Sequence, residues 1–286
     1  MESEALCIPC VIRQCQRIAL LTSADEKIFR AVTELALDLV GNLSLKEPPS
    51  LFTSRIIIEV YKLLNNPDPF AEIKKNMQEL GKRTAERVKK IIDQSFDPIY
   101  TAAKFACAGN IIDLGPQEDF DLEKTLREIS FAHDDYQIFK EKLRGRENLL
   151  YILDNAGEIY LDKLLIEKLL KLNLKIKMVV KEKPILNDAT LKEAKEAGLM
   201  ELGEVFTTGS GFLGVNRLEA SERFLEEYEN AEIVIAKGHA NFESLVDEER
   251  DGFFLLKAKC PVVAQRLGIK VGDSAFYYSP VKPKED

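Results

Sequence analysis

No stretch of this 286-residue chain approaches the roughly 20 consecutive apolar residues that a membrane-spanning helix needs. The opening MESEALCIPC has neither the basic segment nor the apolar core of a secretory leader, so the expected location is the cytoplasm. An excess of positive charge is also missing. Forty Lys and Arg stand against 48 Asp and Glu, a formal charge of -8, and no long basic run interrupts the mixture. That excludes the electrostatic footprint of a nucleic-acid binder and points to a small-molecule partner. Tryptophan is absent, and ion-pair patterns such as KEKLRGRE abound among the 31% charged residues.

Cysteine is scarce and odd in number, at positions 7, 10, 15, 107 and 260, which argues against a secreted disulfide framework. Cys7-Ile8-Pro9-Cys10 has the C-x-x-C spacing of a metal knuckle or a redox pair, yet no second pair follows at zinc-site spacing. We expect these two thiols to pack or staple the N-terminus, apart from any catalytic cation.

What is present is enough apolar material, 45%, for a substantial core. Residues 1–97 carry helical periodicity throughout, in segments such as DEKIFRAVTELALDLVGNL and FAEIKKNMQELGKRTAERVKKIIDQ, punctuated by EPPS and NNPDP. Residues 98–147 read as a helical bridge containing GNIIDLG. From 148 to 286 the texture changes to short β-rich runs, each followed by a polar turn and a helical stretch: LLYIL, LKIKMVV, EVF, AEIVIA and GFFLL. This alternation predicts an α/β domain, a doubly wound, mostly parallel, Rossmann-like sheet, preceded by an N-terminal α-helical domain.

Ligands of such sheets bind beyond the carboxyl ends of the strands. After LLYIL come Asp154, Asn155 and Glu158; after LKIKMVV come Lys181, Lys183, Asn187 and Asp188. Beyond EVF lies Thr207-Thr208-Gly209-Ser210-Gly211, beyond AEIVIA lie Lys237, Gly238, His239 and Asn241, and GFFLLKAK delivers Lys257 and Lys259 ahead of Cys260-Pro261. Two aspartates and an asparagine suit a hard divalent cation, and lysines with turn amides suit a phosphate. Each piece also has a plainer reading. An Asn or Asp before a helix is commonly its N-cap, which is the ordinary role for Asn187-Asp188; TTGSG is a common loop; lysine-rich turns are usually solvated faces; His239 reads as a loop donor. Capping explains one polar group of the Asp154-Asn155-Ala156-Gly157-Glu158 turn, but not three.

Taken in order, GNIIDLG, DNAGE, NDAT, KGHANFESL and LKAKC resemble the DUF89 family of metal-dependent damage-control phosphatases, across nearly the whole chain. The C-x-x-C and the LKAKC ending resemble its prokaryotic subfamily. The resemblance implies one divalent cation, Mn2+ or Mg2+ with Ni2+ or Co2+ as further candidates, held by Asp154, Asn155 and Asp188, which form the catalytic set. It implies substrate and phosphate contacts from Glu158, Lys237, Asn241 and Lys259, with Asn110 and Asp113 from the G-N-x-x-D motif at the rim. Where eukaryotic relatives read Arg-Thr before the lysine motif, this chain has Leu256-Lys257. The expected activity is hydrolysis of phosphate monoesters of small metabolites, sugar phosphates or damaged phospho-metabolites. Water is favoured over Asp154 as nucleophile, because a carboxylate committed to a cation attacks poorly. Two other readings stand beside it: an S-adenosylmethionine-dependent carboxyl methyltransferase, against which DNAGE offers a single glycine amid two acids, and a non-enzymatic metal or redox protein built on Cys7 and Cys10.

Overall fold

The computed structural model describes residues 1–23, 25–42, 44–107 and 129–281. Helices α1 (Cys7–Thr22), α2 (Glu26–Val40), α3 (Pro49–Leu63), α4 (Ala71–Gln94) and α5 (Pro98–Cys107) come first. Local chemistry sets two of their starts. The Asp25 carboxylate accepts from the Lys27 amide to cap α2, and Pro49 opens α3, where a missing N–H costs nothing. The apolar faces of α1, α2 and α3 close around Cys15, Ile18, Phe52, Ile56 and Val60. Ile185 and Leu213 join this core from loops at the sheet edge, so the helical front is seated on those loops.

Seven strands follow: β1 (Phe131–Asp134), β2 (Asn148–Ile152), β3 (Lys175–Val180), β4 (Glu204–Thr207), β5 (Ile233–Lys237), β6 (Gly252–Lys257) and β7 (Ser274–Ser279). They form one sheet in the order β1-β7-β6-β5-β2-β3-β4. The five strands from β6 to β4 are mutually parallel, and β7 runs antiparallel to β6. Connections are made by α6 (Tyr136–Lys142), α7 (Ile159–Leu170), α8 (Leu191–Glu196), α9 (Glu222–Asn230), α10 (His239–Leu245) and α11 (Pro261–Leu267). Both faces of the sheet are buried. Leu149, Tyr151, Ile233, Ile235, Phe253 and Leu255 face the core that includes α4, α5 and α7. Leu150, Ile152, Val234, Ala236, Phe254 and Leu256, one residue out of phase, face the core that includes α9, α10 and α11. That is why these strands read as unbroken apolar runs rather than alternating ones.

The predicted helical bridge over 98–147 is only partly so. It contains β1, four residues too short to show a period, which becomes a strand by pairing in parallel with the distant β7. β7 itself was not among the expected strands. Gly109, Asn110 and Asp113 of the G-N-x-x-D motif lie outside the described residues.

From β2 the chain winds to β3 and β4 on one side, then crosses back to β5 and β6 on the other. The carboxyl ends of β2 and β5 therefore diverge into opposite connections while lying side by side. This is the switch point at which doubly wound sheets open a crevice.

Candidate active site

The turn after β2 is pinned by its neighbour. The Ala156 amide donates to the Asn187 carbonyl at 2.9 Å and the Ala189 amide to the Asp154 carbonyl at 2.8 Å, so Asn155 and Asp188 face each other as an isolated antiparallel pair. Asp188 is not a helix cap. Thr190 caps α8 in a reciprocal box with Glu193, which leaves the carboxylate of Asp188 free for the crevice. Gly157 serves a different end: a Cβ there would lie 2.7 Å from the Met77 carbonyl of α4, so the glycine admits the close approach of that helix to the turn.

Asp154, Asn155 and Asp188 are 8%, 7% and 3% exposed. The Asn155 amide nitrogen donates to Asp154 Oδ2 at 3.1 Å and to Glu158 Oε1 at 2.8 Å, which fixes the orientation of the amide. Asp188 Oδ2 is buried with no hydrogen-bond partner, and Lys181 Nζ lies 3.8 Å from it. Burial raises the Asp154 carboxyl well above its ordinary range, and the charges of Asp188 and Glu158 push it the same way. Burial also brings Asp188 up to about 6, against the pull of Lys181 and Lys259, and lowers the Lys181 ammonium. Two carboxylates forced together out of water, one with an unsatisfied oxygen, beside an oriented amide oxygen are a donor set for a hard divalent cation. Among the described residues no three His, Cys, Asp or Glu side chains are grouped to hold a metal ion, so a cation here depends on the Asn155 amide as third ligand.

Gly238 makes the crevice possible. Its φ is +83°, and a Cβ at this position would stand 1.9 Å from Asp154 Oδ2. Only glycine lets the β5–α10 turn pass over that carboxylate.

Lys237 and Asn241, expected at the phosphate, lie one layer beneath the cavity. Lys237 is fully buried, its ammonium donating to Asp162 Oδ1 at 2.8 Å and to the Ala106 carbonyl at 2.6 Å, with Glu158 Oε2 at 3.8 Å. Burial alone would lower this ammonium, but Asp162 and Glu158 more than reverse that and hold it above the ordinary lysine range. Tyr151 donates to the same Asp162 oxygen at 2.8 Å. Asn241 donates to the carbonyls of Leu153 and Lys237, tying the ends of β2 and β5 together, and accepts from Lys181 at 3.3 Å. A chain of contacts thus runs Tyr151, Asp162, Lys237, Glu158, Asn155, ending on the cluster itself. Lys237 closes β5, so counting by twos from Ile233 and Ile235 would have placed it on an inner face.

Above the cluster opens a cavity of about 390 Å³, lined by Asp154, Asn155, Asp188, Lys259, His239 and Glu243 among others, and roofed by α1 and α3. Lys259 is exposed and has no ion-pair partner among the described residues. Cys7 and Cys10 line the same cavity, against the expectation that they stand apart from the site. The reason is tertiary: α3 packs on α10, which brings the helical front over the carboxyl edge of the sheet. Neither thiol is in a disulfide, so no staple exists. Sequence reasoning placed Lys181 at a strand end without assigning it a role of its own, and Glu243 was not among its site residues.

A doubly wound sheet with an acid, amide and acid cluster at its switch point, under a helical roof, defines a class of α/β proteins with a small polar-floored crevice. Within that class the chain belongs to the family of the damage-control phosphatase ARMT1-like domain, whose pattern matches residues 4–275. It is 38% identical over 281 residues to the damage-control phosphatase PH1575 of Pyrococcus horikoshii, covering 95% of this chain and 96% of that protein. A damage-control phosphatase of Archaeoglobus fulgidus is 32% identical over 283 residues, with 96% and 98% of the two chains covered. The crystal structure of a DUF89 family protein from P. horikoshii superposes with a TM-score of 0.90 at 36% identity, over 98% of this chain and 99% of that one.

Proposed function

We propose that the protein is a cytoplasmic metal-dependent phosphatase that hydrolyses phosphate monoesters of small metabolites, sugar phosphates or damaged phospho-metabolites. The observation that carries this reading is the pairing of Asn155 with Asp188 beside the switch point, next to Asp154 and below an exposed Lys259, in one cavity. Its volume, about 390 Å³, is at the small end of ligand sites and matches a phosphorylated metabolite rather than a polymer. The damage-control phosphatase names of the relatives support the same class.

Asp154 and Asp188, with the Asn155 carbonyl, would hold the cation, Mn2+ or Mg2+ by the hardness of the oxygens and Co2+ or Ni2+ by their tolerance of mixed ligands. When bound, such an ion supplies Lewis acidity toward phosphoryl oxygen and acidifies water. The chain's own groups do the rest. Lys259 meets the phosphate from the open side as a mobile point charge. Glu158 keeps the Asn155 amide nitrogen turned toward itself, and Lys237 pairs with Glu158 and Asp162 beneath. Lys181 offsets the charge of Asp188 in the absence of substrate. The roof of α1 and α3 limits water at the reacting centre, which strengthens each of these electrostatic contacts.

The test is a phosphatase screen over small phosphate esters with Mg2+, Mn2+, Co2+ and Ni2+, with and without chelator, on the native protein and on Asp154→Ala and Asp188→Ala. We expect turnover that chelation abolishes and neither variant retains, with both variants folded. Turnover indifferent to chelator, or native turnover in either variant at saturating metal, would refute the reading.

A further inference from the structure

The five thiols divide by environment. Cys15 is buried in the core of the helical front and Cys107 in the core on one face of the sheet, where burial pushes them up to about 12 and about 11. The other three, Cys7, Cys10 and Cys260, line the substrate cavity. Cys10 is exposed, while Cys7 and Cys260 are half-buried. Cys260 is placed unlike its companions. His239 Nε2 lies 3.6 Å from its sulfur and is shared with Glu243 Oε1 at 3.2 Å, and the Val263 amide in the first turn of α11 donates to the same sulfur at 3.5 Å. Burial opposes ionisation, but the His239 contact and the Val263 amide outweigh it and bring the thiol below its usual range. An imidazole and a helix-start amide on one sulfur are the surroundings that activate a cysteine. The phosphatase reading leaves this thiol without a task. Among the described residues the three sulfurs and His239 do not form a group that could hold a metal ion.

We propose that Cys260 is an oxidation site, converted by a hydroperoxide to the sulfenic acid and then resolved by Cys10 into a disulfide that ties α1 to α11 across the cavity. In the first step the Cys260 thiolate attacks the outer peroxide oxygen, the O–O bond breaks, sulfur is oxidised, and the departing alkoxide or hydroxide takes a proton from His239 or solvent. In the second, the Cys10 sulfur attacks the sulfenic sulfur, the S–S bond forms, the S–O bond breaks, and hydroxide leaves as water with the Cys10 proton. Overall two thiols and one peroxide give one disulfide, one alcohol or water, and one further water. Because Cys260 follows Lys259 directly and Cys10 lies in the roof, the bridge holds the roof down over the phosphate-facing lysine. This regulatory consequence rests on the phosphatase reading; the thiol chemistry does not.

The experiment treats the reduced full-length protein with hydrogen peroxide, then maps peptides without reductant and assays phosphate release before and after dithiothreitol. We expect a Cys10–Cys260 linked peptide, absent in Cys260→Ser, and a dimedone adduct on Cys260 that accumulates in Cys10→Ser. Turnover should fall with linkage and return with reductant. The proposal is overturned if dimedone spares Cys260, if a Cys7–Cys10 bridge forms equally well in Cys260→Ser, or if the untreated protein carries stoichiometric zinc that Cys260→Ser loses. Linkage without loss of turnover overturns the regulatory role. Linkage in a protein that shows no phosphatase activity even when reduced supports the oxidation site and refutes the phosphatase reading instead.

Discussion

Gly238→Ala separates the cost of a strained backbone from the loss of a ligand. The added Cβ would stand 1.9 Å from Asp154 Oδ2 and 2.2 Å from its Cγ, whereas ordinary contact begins near 3.4 Å, so the carboxylate has to retreat by about 1.5 Å. The Asp154 backbone cannot follow, because its carbonyl is bonded by the Ala189 amide and the next residue is paired with Asp188. The side chain must therefore swing away from the cluster. The backbone, at φ +83° and ψ 171°, lies in a region almost reserved for glycine and adds a penalty of about 1–3 kcal/mol. Gly268→Ala is the control for a left-handed glycine without a clash: its φ is +68° and ψ +29°, an αL conformation milder than that of Gly238, and nothing lies within 4 Å of its Cβ position. Metal affinity by calorimetry, turnover with saturating metal, and thermal unfolding of the metal-free protein are to be measured on both. We expect the larger loss of stability in Gly238→Ala, and in Gly238→Ala alone a loss of metal affinity of roughly tenfold to a hundredfold, the loss seen when a ligand's support is disturbed. Equal metal affinity in the two variants would show that the Asp154 carboxylate is not held where it binds a cation.

Three further outcomes follow from the same geometry. Lys237→Met leaves the buried Asp162 and the half-buried Glu158 without their cation and should destabilise the fold by about 3–5 kcal/mol in chemical denaturation; a change below about 1 kcal/mol would mean that the buried contacts do not support the site. Lys259→Met should raise KM and lower turnover for phosphate esters while leaving metal affinity unchanged, and a parallel loss of metal affinity would assign Lys259 to the cluster instead. Asp188, brought up to about 6 by burial, takes a proton as pH falls through that value, so metal affinity should drop there. The sign reverses for the metal-free fold. A carboxyl whose folded pKa exceeds its unfolded one binds protons preferentially when folded, so its contribution to stability grows as pH falls from about 6 toward about 4 and declines as pH rises again. Asp188→Asn should remove that component from the stability-against-pH curve, and an unchanged difference between variant and native protein from pH 7 to pH 5 would refute it.

The period of the apolar residues was enough to locate β2, β3, β5 and β6, because each is buried on both faces and declares itself within a few residues. The polar turns behind them were legible for the same reason, and with them Asp154, Asn155 and Asp188, whose side chains reach the crevice from positions determined by strand ends. β1 was not legible, since a four-residue strand exists only by virtue of a partner far along the chain, and β7 was not because its burial follows no two-residue alternation. Nor was the division among the lysines. Lys237, Lys181 and Lys259 all occur at or just beyond strand ends, yet one lies under the floor against Asp162, one beside Asp188, and one is open to solvent. Strand order decides this, for a lysine's depth depends on which connections diverge beside it. The cysteines depended on tertiary structure most of all. C-x-x-C at the start of a helix has the same local pattern wherever that helix docks, and only the seating of α3 on α10 brings Cys7 and Cys10 to the wall that Cys260 and His239 occupy.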